Sequence, residues 1–126
     1  MKVLFSLHWV LLAAIWYFGN GLLHDIFVLL NHKGNYNRDL LRLLMDGHLL
    51  LFSGVVVFVC YLTMLNRLQF GVVINIIVGV SMLIYCAMIF PYLKSFGTIL
   101  ISIMLIIVSV KALQNFPSIN ILSKNI

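Results

Sequence analysis

The residues of this chain that could do chemistry are concentrated between His24 and His48. This segment contains six of the eleven Lys, Arg and Asp residues of the chain and three of its four histidines. The candidates for a catalytic or ligand-binding role are His24, Asp25, Arg42, Asp46 and His48. A histidine can exchange protons near neutral pH, and an arginine can bind an anionic headgroup or substrate through its paired N–H groups. A functional site, if the chain has one, is expected in this segment.

The spacing of the charged residues favours a structural ion-pair cluster. Asp39, Arg42 and Asp46 share one face of a helix, because they are separated by three and four residues. The Arg42 guanidinium could then bind two carboxylates at once, and Asp25 on the preceding helix could supply a third. Such a network would hold two helices together as a staple. It predicts that Arg42 is fully engaged by acidic side chains.

The alternative is a metal or proton-transfer site, with His24, His48 and Cys86 as candidate ligands. Imidazole, carboxylate and thiolate groups suit zinc or iron. However, Asp46 and His48 are two residues apart and point to opposite faces of a helix, so they cannot chelate one ion together unless Gly47 breaks the helix. The chain has no glutamate, which excludes a Glu-x-x-His di-iron bundle. We therefore expect no metal or haem cofactor.

The composition explains where these residues must lie. The chain has 126 residues, of which 63% are hydrophobic and 9% charged. Soluble domains are about 45–50% apolar and about 25% charged. This excludes a soluble domain and a disordered tail, and two cysteines are too few for a disulfide scaffold. The net charge of +5 comes from basic residues scattered singly near the ends of apolar runs, which indicates lipid headgroups as partners rather than nucleic acid.

Four apolar runs are long enough, or nearly so, to cross a bilayer as helices. They cover residues 3–23, 48–65, 70–90 and 96–113, and none shows the alternation of a barrel strand. The predicted fold class is all-α, with four transmembrane helices. Because the connections are short, we expect an up-down-up-down antiparallel bundle. Residues 1–115 would form the bundle, with a polar helical hairpin at 24–48, and 116–126 a short polar tail.

The first hairpin has signals for its own boundaries. Helix one is expected to continue to about Leu30, and Asn35 or Asn37 can cap a second helix that starts near Asn37. The first run is interpreted as a retained helix rather than a signal peptide, because bulky Trp16 and Tyr17 stand where a cleavage site would need small residues. Four lysines and arginines lie on the side of the termini and four on the opposite side of the membrane, so their number does not decide the orientation. The early Lys2 favours termini in the cytoplasm.

A hairpin turning near Gly34 would place Asp25 level with Arg42 or Leu43. Residues at equal distances from a turn lie at the same depth in a hairpin. When the residues of the other two hairpins are paired in this way, one layer of polar side chains is predicted near the polar hairpin at 24–48. Its members are His24, Asp46, His48 and Cys86, with Thr98 or Ser102. A polar cavity between His24, His48 and Cys86 would favour a functional site, whereas an Arg42 engaged by three acids would favour the staple.

Small and polar residues recur at helical spacing on the last two helices. Gly71, Asn75 and Gly79 repeat every four residues, and Ser102 and Ser109 are seven apart. Stripes of this kind allow helices to approach closely and form hydrogen bonds inside a membrane. They could serve packing within the bundle, or contact with a second copy or another membrane protein.

The leading hypothesis is a small, non-enzymatic membrane protein, either an accessory or assembly subunit or a self-associating bundle. It rests on these stripes and on the lack of charged residues in the middle of the spans. The alternative is a membrane enzyme or a redox or metal-binding protein with its site at the His24–His48 segment. A passive transporter of small solutes or lipid is the third. The expected location is a membrane, the cytoplasmic membrane in a bacterium.

Overall fold

A computed structural model of the chain describes residues 2–66, 68–91 and 94–115, with side chains from residue 6 onward. This part of the chain is all-helical and forms a four-helix bundle of α1 (Lys2–Asn31), α2 (Arg38–Leu65), α3 (Gln69–Ile89) and α4 (Phe96–Asn115). Each of these helices is long and apolar enough to cross a membrane. The all-α prediction is confirmed. The predicted tail at 116–126 lies outside the described residues, as does Arg67.

The first connection ends and restarts the helices as its sequence predicts. α1 continues to Asn31, and α2 begins after Asn37, whose side-chain oxygen accepts a hydrogen bond from the Leu40 backbone N–H at 2.8 Å. This bond satisfies one of the N–H groups that a helix start leaves without a partner. Gly34 has a φ of 122°, a left-handed conformation that glycine adopts without steric cost.

The backbones of α1 and α2 touch at glycines. A Cβ on Gly21 would lie 2.6 Å from the carbonyl oxygen of Gly47 and 2.6 Å from the Leu51 nitrogen. A Cβ on Gly54 would lie 2.6 Å from the Phe18 nitrogen. The two helices therefore fit together only because these positions lack side chains, and the glycines decide which residues of α1 meet which residues of α2.

This contact corrects the predicted register of the first hairpin. Asp25 does not lie level with Arg42 or Leu43; it contacts Gly47 and His48. The displacement is four to five residues, which is a little over one helical turn. Counting residues outward from Gly34 assumes that α1 and α2 begin at equal distances from the turn. The actual register is set by the glycines, at which the backbones of the two helices can approach each other closely.

The stripe of small and polar residues on α3 packs inside the bundle. Gly71 faces the Cys60 backbone on α2, Gly79 faces Ile106 on α4, and all members of the stripe are buried. The buried Asn75 amide donates a hydrogen bond to the Met64 sulfur at 3.5 Å. The close approach predicted from these residues is thus present between helices of one chain.

The outer surface of the bundle is apolar. Large hydrophobic side chains are exposed on every helix, among them Leu23 and Phe27 on α1, Phe52 on α2, Met88 on α3 and Leu100 on α4. Most of the core is apolar as well, and it also contains fully buried polar groups on Tyr17, Asn75, Ser102 and Ser109. The apolar exterior distinguishes this bundle from a water-soluble one, in which the outer face of each helix is polar.

Candidate functional site

The buried carboxylate of Asp25 lies at the α1–α2 contact. Its Oδ2 atom is 2.9 Å from Nδ1 of His48, and its side chain is 10% exposed whereas that of His48 is 74% exposed. Gly47 makes room for the carboxylate, since a Cβ there would lie 2.6 Å from Asp25 Cγ. The sequence Asp46-Gly47-His48 therefore admits an acid from α1 between two polar residues of α2.

His24 adds a second imidazole to the same carboxylate. Its Nδ1 is 3.7 Å from Asp25 Oδ1, which is beyond hydrogen-bonding distance. Both atoms are buried, and neither has a hydrogen-bond partner among the described residues. A buried polar atom without a partner is costly and calls for an explanation. We call His24, Asp25 and His48 the His–Asp–His cluster.

The expected Arg42 staple is not formed. Within the described residues, the ion pairs shorter than 4.0 Å are those of Asp25 with His24 and His48. Arg42 and Asp39 are exposed at the outer end of α2. The corrected register carries Asp25 about one turn past Arg42 and against Gly47, and Asp46, on the same helix as Arg42, lines the cavity and interacts with Tyr85. The prediction that the acids engage Arg42 was wrong.

A cavity of about 310 Å³ opens beside this cluster, near the connection between α3 and α4. All four helices contribute to its wall. The polar and thiol-bearing residues of the wall are Asn20, His24, Asp46, Tyr85, Cys86, Lys94, Ser95 and Thr98, and the aromatic ones include Trp16 and Phe96. The predicted members His24, Asp46 and Cys86 thus meet at one place. His48 does not line it and reaches it only through Asp25 and His24.

Asp46 and His48 point to different sides of α2, as their spacing predicts. His48 contacts Asp25, whereas Asp46 lines the cavity and interacts with the Tyr85 phenol of α3. One metal ion could not bind both. Among the side chains that the structure describes, no group of three or more His, Cys, Asp or Glu residues could hold a metal ion.

Sequence reasoning did not find several residues of the cavity. The residues that were missed come from three different regions of the chain: Trp16 on α1, Tyr85 on α3, and Lys94 and Ser95 in the connection that follows. Their sequence neighbours do not mark them as members of a common site. One signal was present: Lys94 is the single lysine of the α3–α4 connection, and the predicted topology puts this connection at the same end as the polar hairpin. The orientation of α3 that brings Tyr85 inward depends on helix packing.

The fold and this cavity define the class to which the chain belongs: a small all-α bundle of four candidate membrane-spanning helices, with a cavity between them whose wall is mainly apolar and carries several polar side chains. Comparison of the chain with protein-family models, with curated proteins and with solved structures finds no match.

Proposed function

We propose that the chain is a multi-pass membrane protein that binds a small amphiphilic molecule in the cavity between its helices. The observation that carries this proposal is the composition of the wall, to which every helix contributes and which combines aromatic with charged side chains. A ligand site typically has an apolar lining with a few convergent polar groups. The volume of about 310 Å³ is near the lower end of the range for ligand pockets, and therefore suits a small ligand or a headgroup.

The exposed apolar surface supports placement in a membrane. A soluble monomer rarely exposes a contiguous apolar patch of more than a few hundred Å², whereas here large hydrophobic side chains are exposed along all four helices. The connections between the helices are short, which favours an up-down-up-down arrangement with Asn35 and Pro91 on one side and Asn66 on the other. In a bacterium this would be the cytoplasmic membrane, with the termini on the cytoplasmic side.

The residues of the wall divide into two kinds, which explains the choice of an amphiphile. Asp46, Lys94 and His24 offer charge and hydrogen bonds to a polar group. Trp16 and Phe96 offer apolar surface to a hydrocarbon part. A purely apolar ligand would leave the carboxylate and the ammonium group desolvated without compensation, which is unfavourable.

Self-association, one of the two forms of the leading hypothesis from sequence, loses the support of the small-residue stripes. Gly71 packs against Cys60 and Gly79 against Ile106 of the same chain, so neither glycine is left to form a contact between copies. Ser102 and Ser109 are likewise fully buried inside the bundle. An accessory role beside another membrane protein stays a hypothesis, and passive transport through the cavity would be a further use of the same binding site.

Native mass spectrometry of the protein extracted in a mild detergent tests the proposal. We expect the wild-type protein to retain a small molecule or lipid of defined mass after the detergent is removed. Lys94→Met should lose most of this adduct, because the cavity then lacks its cation. Lys111→Met is the matched control, because it removes an exposed lysine on α4 that does not line the cavity. This variant should retain the adduct.

A second matched pair removes negative charge. Asp46→Asn changes the wall of the cavity and should alter the occupancy of the adduct, whereas Asp39→Asn changes an exposed acid on the same helix and should not. A wild-type protein that carries no adduct, or an adduct indifferent to both cavity substitutions, would contradict ligand binding at this site.

A further inference from the structure

We propose that the cavity binds a phosphate-bearing ligand and that the His–Asp–His cluster controls its affinity, so that the ligand binds when the histidines are protonated and is released when they lose their protons. This inference rests on the proposed ligand-binding function and specifies its ligand class and its regulation. Three features of the structure lead to it: the groups around the start of α4, the path from His48 to the cavity, and the balance of charge.

The wall of the cavity near the start of α4 offers several donors to an anion. Ser95, Phe96, Gly97 and Thr98 all line it, and α4 begins at Phe96. The first N–H groups of a helix lack intrahelical partners and carry partial positive charge, which favours phosphate. The Ser95 hydroxyl oxygen is buried and has no hydrogen-bond partner among the described residues. Lys94 adds a full positive charge at the same wall.

His24, on α1, adds a further donor to the wall of the same cavity. Its ring lines the cavity, and its Nδ1 atom is buried without a hydrogen-bond partner within the described structure. A protonated imidazole has donors on both nitrogens, so one can face Asp25 while the other faces a phosphate oxygen. A neutral imidazole has one donor only. Protonation of His24 therefore adds both a charge and a hydrogen bond for an anionic ligand.

The cluster connects His24 with the protein surface. The exposed fraction of the side chain falls from 74% for His48 to 10% for Asp25 and is 24% for His24. His48 lies outside the cavity wall, so a ligand in the cavity does not cover it. A positive charge on His48 offsets part of the carboxylate charge that Oδ1 presents to His24, so a proton on His48 adds positive charge to the cluster while it competes with His24 for the stabilisation that Asp25 gives.

The net charge of the cluster and the cavity wall changes sign when both histidines gain a proton. The titratable and charged groups that belong to the cluster or line the cavity are His24 and Asp25 on α1, Asp46 and His48 on α2, Tyr85 and Cys86 on α3, and Lys94 beside α4. Phenols and thiols ordinarily lose their protons at higher pH. With neutral histidines, two carboxylates outweigh one ammonium group; with both histidines protonated, positive charge prevails. Affinity for an anion must therefore fall as the pH rises through about 5 to 8.

Intrinsic fluorescence can measure this dependence without a label. The chain has two tryptophans, Trp9 and Trp16, and Trp16 lines the cavity. The variant Trp9→Phe therefore reports on the cavity alone. We would purify it in a neutral maltoside detergent and titrate it with dihexanoyl phosphatidylglycerol and, separately, with inorganic phosphate. Loss of a charge-assisted hydrogen bond typically weakens binding about tenfold or more. We therefore expect the phosphatidylglycerol, whose own charge is constant in this range, to bind at least about tenfold more tightly near pH 5 than near pH 8.

Variants of the cluster separate its control of affinity from a structural role. In the same background, His24→Gln should bind with nearly equal affinity at both pH values. His8→Gln is the matched control, because His8 is exposed on the same helix about 24 Å away and should leave the pH dependence intact. Asp25→Asn should also change the pH dependence, because the two imidazoles lose the carboxylate that they share. If this buried substitution unfolds the protein, His48→Gln at the exposed end should still change the pH dependence.

The outcomes distinguish this inference from the function on which it rests. Binding that is equally tight at both pH values, or a pH dependence that survives His24→Gln, overturns the control by the cluster and leaves ligand binding in place. Failure of Trp16 to respond to either compound, while the extracted protein retains an adduct without phosphorus, overturns the phosphate class. A response to the lipid alone supports a headgroup as the source, and a response to inorganic phosphate as well supports a free anion.

Discussion

The carboxylate of Asp25 occupies the space in which a side chain at position 47 would begin. A Cβ built on Gly47 would lie 2.6 Å from Asp25 Cγ and 2.9 Å from His24 Nδ1. One missing methyl group thus allows an acid to be buried between two helices and brings both histidines to it. The position of the cluster depends on the identity of residue 47 as much as on the residues that bear charge.

Gly47→Ala is predicted to destabilise the protein by about 1–3 kcal/mol, because the new methyl group must displace the carboxylate or separate α1 from α2. Gly19→Ala is the matched control on α1, since a Cβ there meets nothing within 4 Å. It should stabilise the protein by about 0.5–1 kcal/mol through helix propensity. Thermal unfolding in detergent measures both changes. Equal stability of the two variants would contradict the close contact.

Tyr17→Phe is predicted to cost about 1–3 kcal/mol, because it leaves a buried acceptor without its donor. The Tyr17 and Ser102 hydroxyl oxygens are 2.6 Å apart, and Ser102 donates its own proton to the Thr98 carbonyl at 2.7 Å. Tyr17 must therefore be the donor. Tyr36→Phe, at an exposed position, should change stability by less than about 0.5 kcal/mol.

A double-mutant cycle with Ser102→Ala tests the same hydrogen bond. The costs of Tyr17→Phe and Ser102→Ala should not add, because either substitution alone already removes the bond. Chemical unfolding of the two single variants and the double variant gives the three free energies required. Full additivity would show that the two hydroxyl groups do not interact.

Gly79→Leu is predicted to lower the melting temperature without changing the mass of the protein in detergent. The larger side chain would be forced into Ile106, since a single Cβ there would already lie 2.6 Å from Ile106 Cγ1. Val80→Leu, on the exposed side of the same helix, is the control and should change neither the melting temperature nor the mass. Light scattering coupled to size exclusion measures the mass. An oligomer that dissociates in Gly79→Leu at unchanged melting temperature would restore self-association.

Cysteine labelling tests the proposed topology. Asn35→Cys and Pro91→Cys should react with a membrane-impermeant maleimide from one side of the membrane, and Asn66→Cys from the other. All three positions are exposed in connections, and both native cysteines are buried, so background labelling should be low. Intact cells and inverted vesicles provide the two sides. Labelling of all three variants from the same side would refute the up-down-up-down arrangement.

The helices could be predicted from local sequence because their signals are local. The apolar runs, the capping Asn37 and the turn at Gly34 each act within a few residues, and the ends of α1 and α2 follow from them. The prediction that Asp46 and His48 point to different faces of α2 also needed only the geometry of one helix. Counting residues from the turns also put His24, Asp46 and Cys86 at one depth, and all three line the cavity, although the same counting paired Asp25 with Arg42 or Leu43 instead of Gly47 and His48.

The partners of Asp25 could not be obtained in this way. Charge spacing alone favoured Arg42, because arginine forms the strongest pairs with carboxylates. The outcome depended on Gly21 and Gly54, which contact the opposing backbone, and on Gly47, which leaves room for the Asp25 side chain. A glycine in a sequence can indicate a turn or a close approach of helices, but it does not tell which charged groups of the two helices meet.

The sequence alone determined that the chain forms four apolar helices, where the first two begin and end, and that the charged minority gathers at one segment. These properties follow from composition and short-range hydrogen bonding. Only the tertiary structure decided that Asp25 pairs with His48, that the glycines of α3 are used within the bundle, and that Tyr85, Lys94 and Ser95 share a cavity with His24. These relationships depend on how closely two helix backbones can approach, which is a property of their packed surfaces and not of either helix alone.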